Sequence, residues 1–392
     1  MKKKAVVAVL GGAGAMGRAV VFDLARSGQR VLLLEADLEA AGRIARRYAG
    51  RAALAALVER ADARDPAGLA QILRARGAAV LVNCAPYVLN LDVMEAALRA
   101  RCHYLDLGGL FHTTRMQLVH DPEFRRHGLL AVLGMGSAPG IVNVLARAAA
   151  DPLKRVRAIR IYNGGADHTR YKAPVAFGFA PATVLEEFTQ PPVVFTKGRF
   201  KAERPLGGGE DVLFDVGLQR VHLSLHSEVA TLPLRYGPKG LRECFFKIAY
   251  DPVLIERLKL LIDLGLTDKR PTPRGIAPRD VLLDCFKRLP PPPEFVDDRD
   301  CLAVVALGED ARGPVTVRYD LTARPQRRPP LSAVARDTGF PPAIVARMIL
   351  DGTIRERGVL PPERCVPVTP FLAALAERGM RARLTTTRPA PA

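Results

Sequence analysis

Near the start of the chain, Gly12-Ala13-Gly14-Ala15-Met16-Gly17 has the spacing GxGxxG. It follows an apolar run, Ala5 to Leu10, and opens a helical stretch, Met16 to Ser27, that stops at Gly28. In that context the pattern predicts a phosphate cradle. Gly12 permits a tight turn, Gly14 lets backbone approach a pyrophosphate, and Gly17 lets the helix pack close to the strand. The helix N-terminus adds unpaired N–H groups and partial positive charge. Glu35 ends the next strand, 18 residues after Gly17. That is close to the ~20 at which an acidic side chain meets an adenosine ribose. A carboxylate there repels a 2′-phosphate, and Ala36 brings no arginine. The expected ligand is therefore NAD, with NADP as the second option.

Other candidates fall at the same edge of the expected sheet, outside the carboxyl ends of the strands, where open parallel sheets bind ligands. Asp62 closes the third strand, and Asn83, Ala85 and Pro86 close the fourth. All are candidate cofactor contacts, although Asn83 also suits a plain turn. Asp106, one strand later, is a catalytic candidate. It can orient a substrate amine or pass a proton through water, and it can equally cap a helix.

These residues need a frame, and the chain supplies an alternating one. Strands at 5–10, 30–34, 61–63, 78–83, 103–107 and 129–133 alternate with helices at 16–27, 37–48, 66–76 and 91–101. Short connections between them predict an α/β fold with a doubly wound parallel sheet. After about Asp151 the strands lengthen. Cys301 to Leu307 and Val315 to Leu321 read as an antiparallel hairpin. Four consecutive prolines at 290–293 read as a stiff spacer. Leu331 to Asp351 reads as helix interrupted at Gly339 to Pro342, Pro370 to Arg378 as a further helix, and Thr385 to Ala392 as a frayed tail.

In the second half, His222, Ser224, His226 and Glu228 read as one face of a strand over 222–228. Two histidines four apart on a strand lie ~13 Å apart, too far to share a metal, so no metal site is expected. His226 is the second catalytic candidate, as hydrogen-bond donor or proton relay, against the alternative of a structural histidine. Arg170, Tyr171 and Lys172 can hold a substrate carboxylate, with solvated surface as the alternative.

Composition narrows the classes. The 392 residues include 58 Lys and Arg against 40 Asp and Glu, a net charge of +18. The arginines are scattered, Trp is absent and aromatics make up 6%, so a base-stacking nucleic-acid platform is not expected. No apolar run reaches the ~20 residues of a membrane helix. The Met1-Lys2-Lys3-Lys4 lead runs into Gly11-Gly12 rather than a cleavage pattern, so a cytoplasmic protein is expected. The six cysteines form no CxxC pair and read as reduced thiols. No GxSxG, HExxH or P-loop pattern supports a hydrolase or NTPase.

Taken together, these stretches resemble the saccharopine dehydrogenase family, in the branch that includes lysine 6-dehydrogenase-like enzymes. The resemblance rests on Gly12 to Gly17, Val82 to Pro86, Tyr104 to Gly108, Gly134 to Leu145, Asn163-Gly164-Gly165, His226 to Pro233 and Gly352 to Glu363. It implies a Rossmann domain over 1–135 and a mixed α/β domain over 136–323 that binds substrate and often builds a dimer. A C-terminal helical segment over 324–392 would return to the first domain. It implies NAD(P)-dependent chemistry at a C–N bond of saccharopine, lysine or a related amine. Hydride would pass to nicotinamide, leaving an imine that is hydrolysed or cyclises. Gly165, Glu228 and Thr231, in the matching stretches, become candidate substrate contacts. Ala166 to Arg170 is more polar and basic than the family pattern, which leaves the substrate open. The alternative from another class is a non-catalytic dinucleotide-binding sensor or scaffold.

Overall fold

The computed structural model describes residues 5–48 and 57–389. The Met1–Lys4 lead and the last residues of the expected tail lie outside the described residues. The first lobe is built from β1 (Val6–Leu10), α1 (Gly17–Arg26), β2 (Arg30–Glu35), α2 (Leu38–Tyr48), β3 (Leu57–Arg60), α3 (Pro66–Arg76) and β4 (Ala78–Asn83). It continues through α4 (Asn90–Ala100), β5 (His103–Asp106), α5 (Leu110–Leu118), α6 (Asp121–Arg126) and β6 (Leu130–Val132). Alternation along each strand sends apolar side chains to both faces. Val7, Val9, Leu33, Val80 and Val132 pack on one side, and Ala8, Leu10, Leu32, Leu81 and Tyr104 on the other. A strand buried on both faces must sit in a parallel sheet covered by helices on each side. The third strand ends at Arg60, so Asp62 stands in the turn beyond it rather than on the strand.

Helix α7 (Ile141–Ala150) leads into the second lobe. There follow β7 (Arg155–Asp167), α8 (Pro181–Thr189), β8 (Val193–Thr196), β9 (Arg199–Ala202), β10 (Glu210–Phe214), β11 (Gly217–Leu223) and α9 (Glu228–Tyr236). Next come β12 (Glu243–Ala249), α10 (Pro252–Asp263), α11 (Pro278–Lys287), β13 (Asp298–Asp310) and β14 (Gly313–Ala323). A mixed sheet results, with β7 between β12, parallel to it, and β13, antiparallel to it. The expected hairpin is β13–β14. The expected strand over 222–228 is not formed. Strand β11 stops at Leu223 and Glu228 starts α9, so His226 and Glu228 sit in a turn and a helix start instead of on one strand face.

A short pair, β15 (Gln326–Arg327) and β16 (Pro330–Leu331), precedes α12 (Ala333–Leu350). That helix runs through Gly339, Pro341 and Pro342 without the expected interruption. The prolines cannot donate to the carbonyls of Asp337 and Thr338, a cost to any helix. Burial offsets it here, since Phe340, Ala343, Ile344 and Val345 are buried. Gly339 allows close approach to α1: a Cβ there would lie 2.6 Å from the Ala19 Cβ. The chain then adds β17 (Gly358–Leu360) to the first sheet, beside β6 and parallel to it. The complete order in that sheet is β17-β6-β5-β4-β1-β2-β3. After α13 (Pro362–Cys365) and α14 (Val368–Ala376), β18 (Arg383–Thr387) pairs with β14. Thr385 to Thr387, expected to fray, are thereby held as strand. Among the described residues no helix is long and apolar enough to cross a membrane.

Candidate active site between the two sheets

A cavity of about 540 Å³ opens where the carboxyl ends of the first sheet face the second lobe. Gly14, Ala15, Met16 and Gly17 form one wall, and Cys84, Ala85 and Pro86 continue it from the end of β4. The geometry of this wall suits a dinucleotide. A Cβ on Gly17 would lie 2.1 Å from the Gly11 carbonyl oxygen, so only glycine lets α1 start this close to the turn. At Gly14 the nearest atom to such a Cβ is the same oxygen at 3.3 Å, and the position otherwise faces the cavity. The N-terminus of α1 has no side-chain cap and opens onto that space. Such an end offers N–H groups to phosphate oxygens.

Gly12 is buried behind this wall, and Ala13 N–H donates to Glu35 Oε2 at 3.1 Å. Glu35 also accepts from Ala36 N–H at 3.0 Å, so it ties the end of β2 to the glycine turn. Asp62 is exposed and paired with Arg64 at 2.9 Å. Asn83 is buried: it donates to Asn90 at 2.9 Å and accepts from Ala85 N–H at 3.0 Å, which fixes the turn carrying Ala85 and Pro86. Burial pushes the Cys84 thiol up to about 12, with the Glu35 charge adding to it, so it stays a neutral thiol.

Asp106 lies outside the lining of the cavity. It is 1% exposed and accepts from Gln117 and Gly134 at 2.6 Å and from Gly108 at 3.0 Å. Burial raises its pKa against those donors. Its position makes it a tie that fixes the loop Leu107–Gly108, which does line the cavity.

The opposite wall holds the titratable groups. His226 is buried, stacks on Phe246 with ring centroids 3.7 Å apart, and places Nδ1 2.7 Å from Glu228 Oε2. With Nδ1 engaged by Glu228, Nε2 is the nitrogen left for the cavity that His226 lines. Burial disfavours the imidazolium, but the Glu228 and Glu187 carboxylates outweigh it and hold the pKa above the usual histidine value. Ser227 locks the turn to the first lobe by accepting from Gly109 N–H at 3.3 Å and from the Thr114 hydroxyl at 3.1 Å. Glu228 is fully buried behind His226, and Thr231 packs one turn along α9, its hydroxyl 3.4 Å from the Glu228 carbonyl oxygen.

Several lining groups had no part in the sequence reading. Glu187, on α8, is 2% exposed and accepts from the Tyr250 and Ser224 hydroxyls. Its neighbour Glu186 is neutralised instead, by Arg279 at 2.7 Å and Lys269 at 2.9 Å. Asp300, on β13, accepts from Asn163 Nδ2 at 2.7 Å. Phe177 and Phe179 close the side formed by the loop before α8. Gly165 lies near this wall but outside the lining, its N–H donating to Gln219 at 2.9 Å. Arg170 and Lys172 are exposed, Tyr171 bonds Asp167, and none of the three lines the cavity.

A glycine turn on a parallel sheet, facing a buried histidine–carboxylate pair across a cleft, defines a two-lobed dinucleotide-dependent oxidoreductase. Residues 7–132 match the family model described as the saccharopine dehydrogenase NADP binding domain, and residues 136–380 match the saccharopine dehydrogenase C-terminal domain. The chain belongs to the saccharopine dehydrogenase family, and its cofactor is a nicotinamide dinucleotide, NAD(P). It is 24% identical over 335 residues to carboxyaminopropylagmatine dehydrogenase from Synechocystis sp., covering 81% of this chain and 82% of that protein. The same fold is seen in saccharopine dehydrogenase (L-Glu forming) from Saccharomyces cerevisiae, at a TM-score of 0.72 and 16% identity. That match covers 98% of this chain and 100% of the yeast chain.

Proposed function

We propose that this protein oxidises a C–N bond of an amine or amino acid with NAD(P) as hydride acceptor. The observation that carries this reading is that His226, backed by Glu228, opens into the same cavity as the glycine turn. When bound, the dinucleotide supplies the acceptor for hydride. Gly14 to Gly17 and the α1 N-terminus would hold its phosphates, Ala85 and Pro86 would flank it, and Glu35 would meet the adenosine ribose. An ammonium must lose a proton before hydride leaves its carbon. His226 Nε2 takes that proton, and Glu228 stabilises the imidazolium that results. Phe177 and Phe179 shield the reacting carbon from water. The relative whose name specifies carboxyaminopropylagmatine as substrate supports an amine of this kind.

The test is reduction of NAD and NADP by the full-length protein across a panel that includes saccharopine, lysine and agmatine-derived amines. His226→Gln should lower kcat about 10²–10⁴-fold while dinucleotide affinity stays within threefold, about the change expected when a positioned proton-transfer group is lost. Tight dinucleotide binding with no turnover of any amine would overturn the reading in favour of a non-catalytic dinucleotide-binding protein.

A further inference from the structure

The cavity is lopsided in charge. Glu187 and Asp300 line it, and among its described lining residues there is no Lys or Arg. Asp300 is 8% exposed, with Asn163 Nδ2 at 2.7 Å and the Ser137 hydroxyl at 3.4 Å as its neutral donors. Directly behind it, Asp337 on α12 is fully buried and within hydrogen-bonding reach of Asp300. Asp337 Oδ2 meets no donor among the described residues. A buried carboxyl oxygen without a donor is satisfied when it carries the proton itself, and Asp337 can then donate to Asp300. Burial, together with the Asp300 charge, raises the Asp337 pKa well above the ordinary carboxylate range. Asp298, two residues before Asp300, accepts from Ala333 and Val334 N–H at 2.6 and 3.2 Å and is committed to capping α12.

Asp300 thus stands at the cavity wall with neutral donors and no Lys or Arg beside it among the described lining residues, and burial, the largest influence on it, raises its pKa against those donors. A buried charge in that state calls for a counter-ion, and the cavity is where one can enter. A carboxylate-bearing end of a substrate would meet Glu187 and Asp300 with no Lys or Arg to receive it, since His226, the one basic side chain among the described lining residues, is already paired with Glu228. We propose that Asp300 anchors a second, cationic group of the substrate, an ammonium or guanidinium distinct from the nitrogen whose bond is oxidised. This rests on the amine-oxidising reading above and adds a substrate class to it: diamines and guanidino-amines rather than amino dicarboxylates. Protonated Asp337 is a positioning residue that keeps the Asp300 charge directed at the cavity.

The experiment is calorimetric titration of the NADP-loaded and the NAD-loaded full-length protein with agmatine, and in parallel with glutamate. Agmatine should bind at least tenfold more tightly than glutamate. Asp300→Asn should weaken agmatine about 10–100-fold, the range for a charge-assisted hydrogen bond, with dinucleotide affinity unchanged as the check on folding. Asp337→Asn keeps a donor toward Asp300 and should retain agmatine affinity within threefold, whereas Asp337→Leu should not. Equal agmatine binding by Asp300→Asn and the parent, no agmatine binding by the parent, or tighter binding of glutamate than agmatine would each overturn the proposal. Should Asp300→Asn fail to fold, the agmatine–glutamate comparison on the parent still decides. Failure of the amine-oxidising reading is separately visible: agmatine would bind through Asp300 while no amine reduced the nicotinamide.

Discussion

At the scale of single residues, the pairing of His226 with Glu228 sets a pH dependence with a definite sign. Below its pKa the imidazole carries a proton and cannot accept another, so amine oxidation should rise with pH through that pKa. Glu228 is the main group holding it up against burial. Glu228→Gln should therefore move the acidic limb of the kcat profile to lower pH, by about one to three pH units, the usual effect of an adjacent opposite charge. An unmoved limb would mean that another group titrates. A second prediction concerns the ribose. Glu35→Ala should weaken NAD more than NADP and narrow the preference, read by fluorescence titration. Because Glu35 also accepts from Ala13 N–H, both affinities should fall. The glycine turn and the strand end at Glu35 were legible in the sequence because their pattern is local, whereas His226 was singled out on a strand face that the structure does not form. Glu187 and Asp300 were not legible, since they reach the cavity from α8 and β13 and have no sequence relation to His226. Arg170 and Lys172 looked suited to a carboxylate by type alone, and the fold turns them to solvent.

Elements were legible where the signal was local. Helix α3 runs from Pro66 to Arg76 and β4 from Ala78 to Asn83, as the capping Asp65, the N-terminal proline and the apolar run dictate. The turn at 224–227 was hidden because its alternating residues imitate a strand, and the lock between Ser227 and the first lobe is a tertiary contact. The continuity of α12 was hidden for a similar reason: burial against α1 overrides what Gly339, Pro341 and Pro342 dictate locally. One long-range tie at this scale can be tested. Arg378, just past α14, pairs with Asp23 of α1 through two bonds of 2.8 Å, and both side chains are buried. Arg378→Ala leaves the Asp23 carboxylate without that cation and should cost about 3–5 kcal/mol in urea unfolding, as for other broken buried pairs. A cost under ~1 kcal/mol, the range of exposed pairs, would show that Arg26, 3.5 Å from the same carboxylate, or water compensates the Asp23 charge.

For the molecule as a whole, one apolar core links the lobes, running from Val7 and Val9 through Val142 and Leu145 to Ile159 and Val304. Thermal unfolding should therefore be a single transition followed identically by probes in either sheet. NADP or NAD at a hundredfold excess over Kd should stabilise the protein by about 2.7 kcal/mol without splitting it. Two resolved transitions would contradict a shared core. The return of α12 and β17 to the first sheet has a consequence for how such a protein can be recombined. The dinucleotide half is not a contiguous cassette, because residues 333–360 complete it from the far end of the chain. A fragment cut near residue 135 would bare the edge of β6 and the face of α1 that meets Gly339, the kind of open edge that recruits other strands. Chimaeras between relatives should then succeed when the N-terminal lobe and residues 333–366 are inherited from one parent, and aggregate when they are inherited from two.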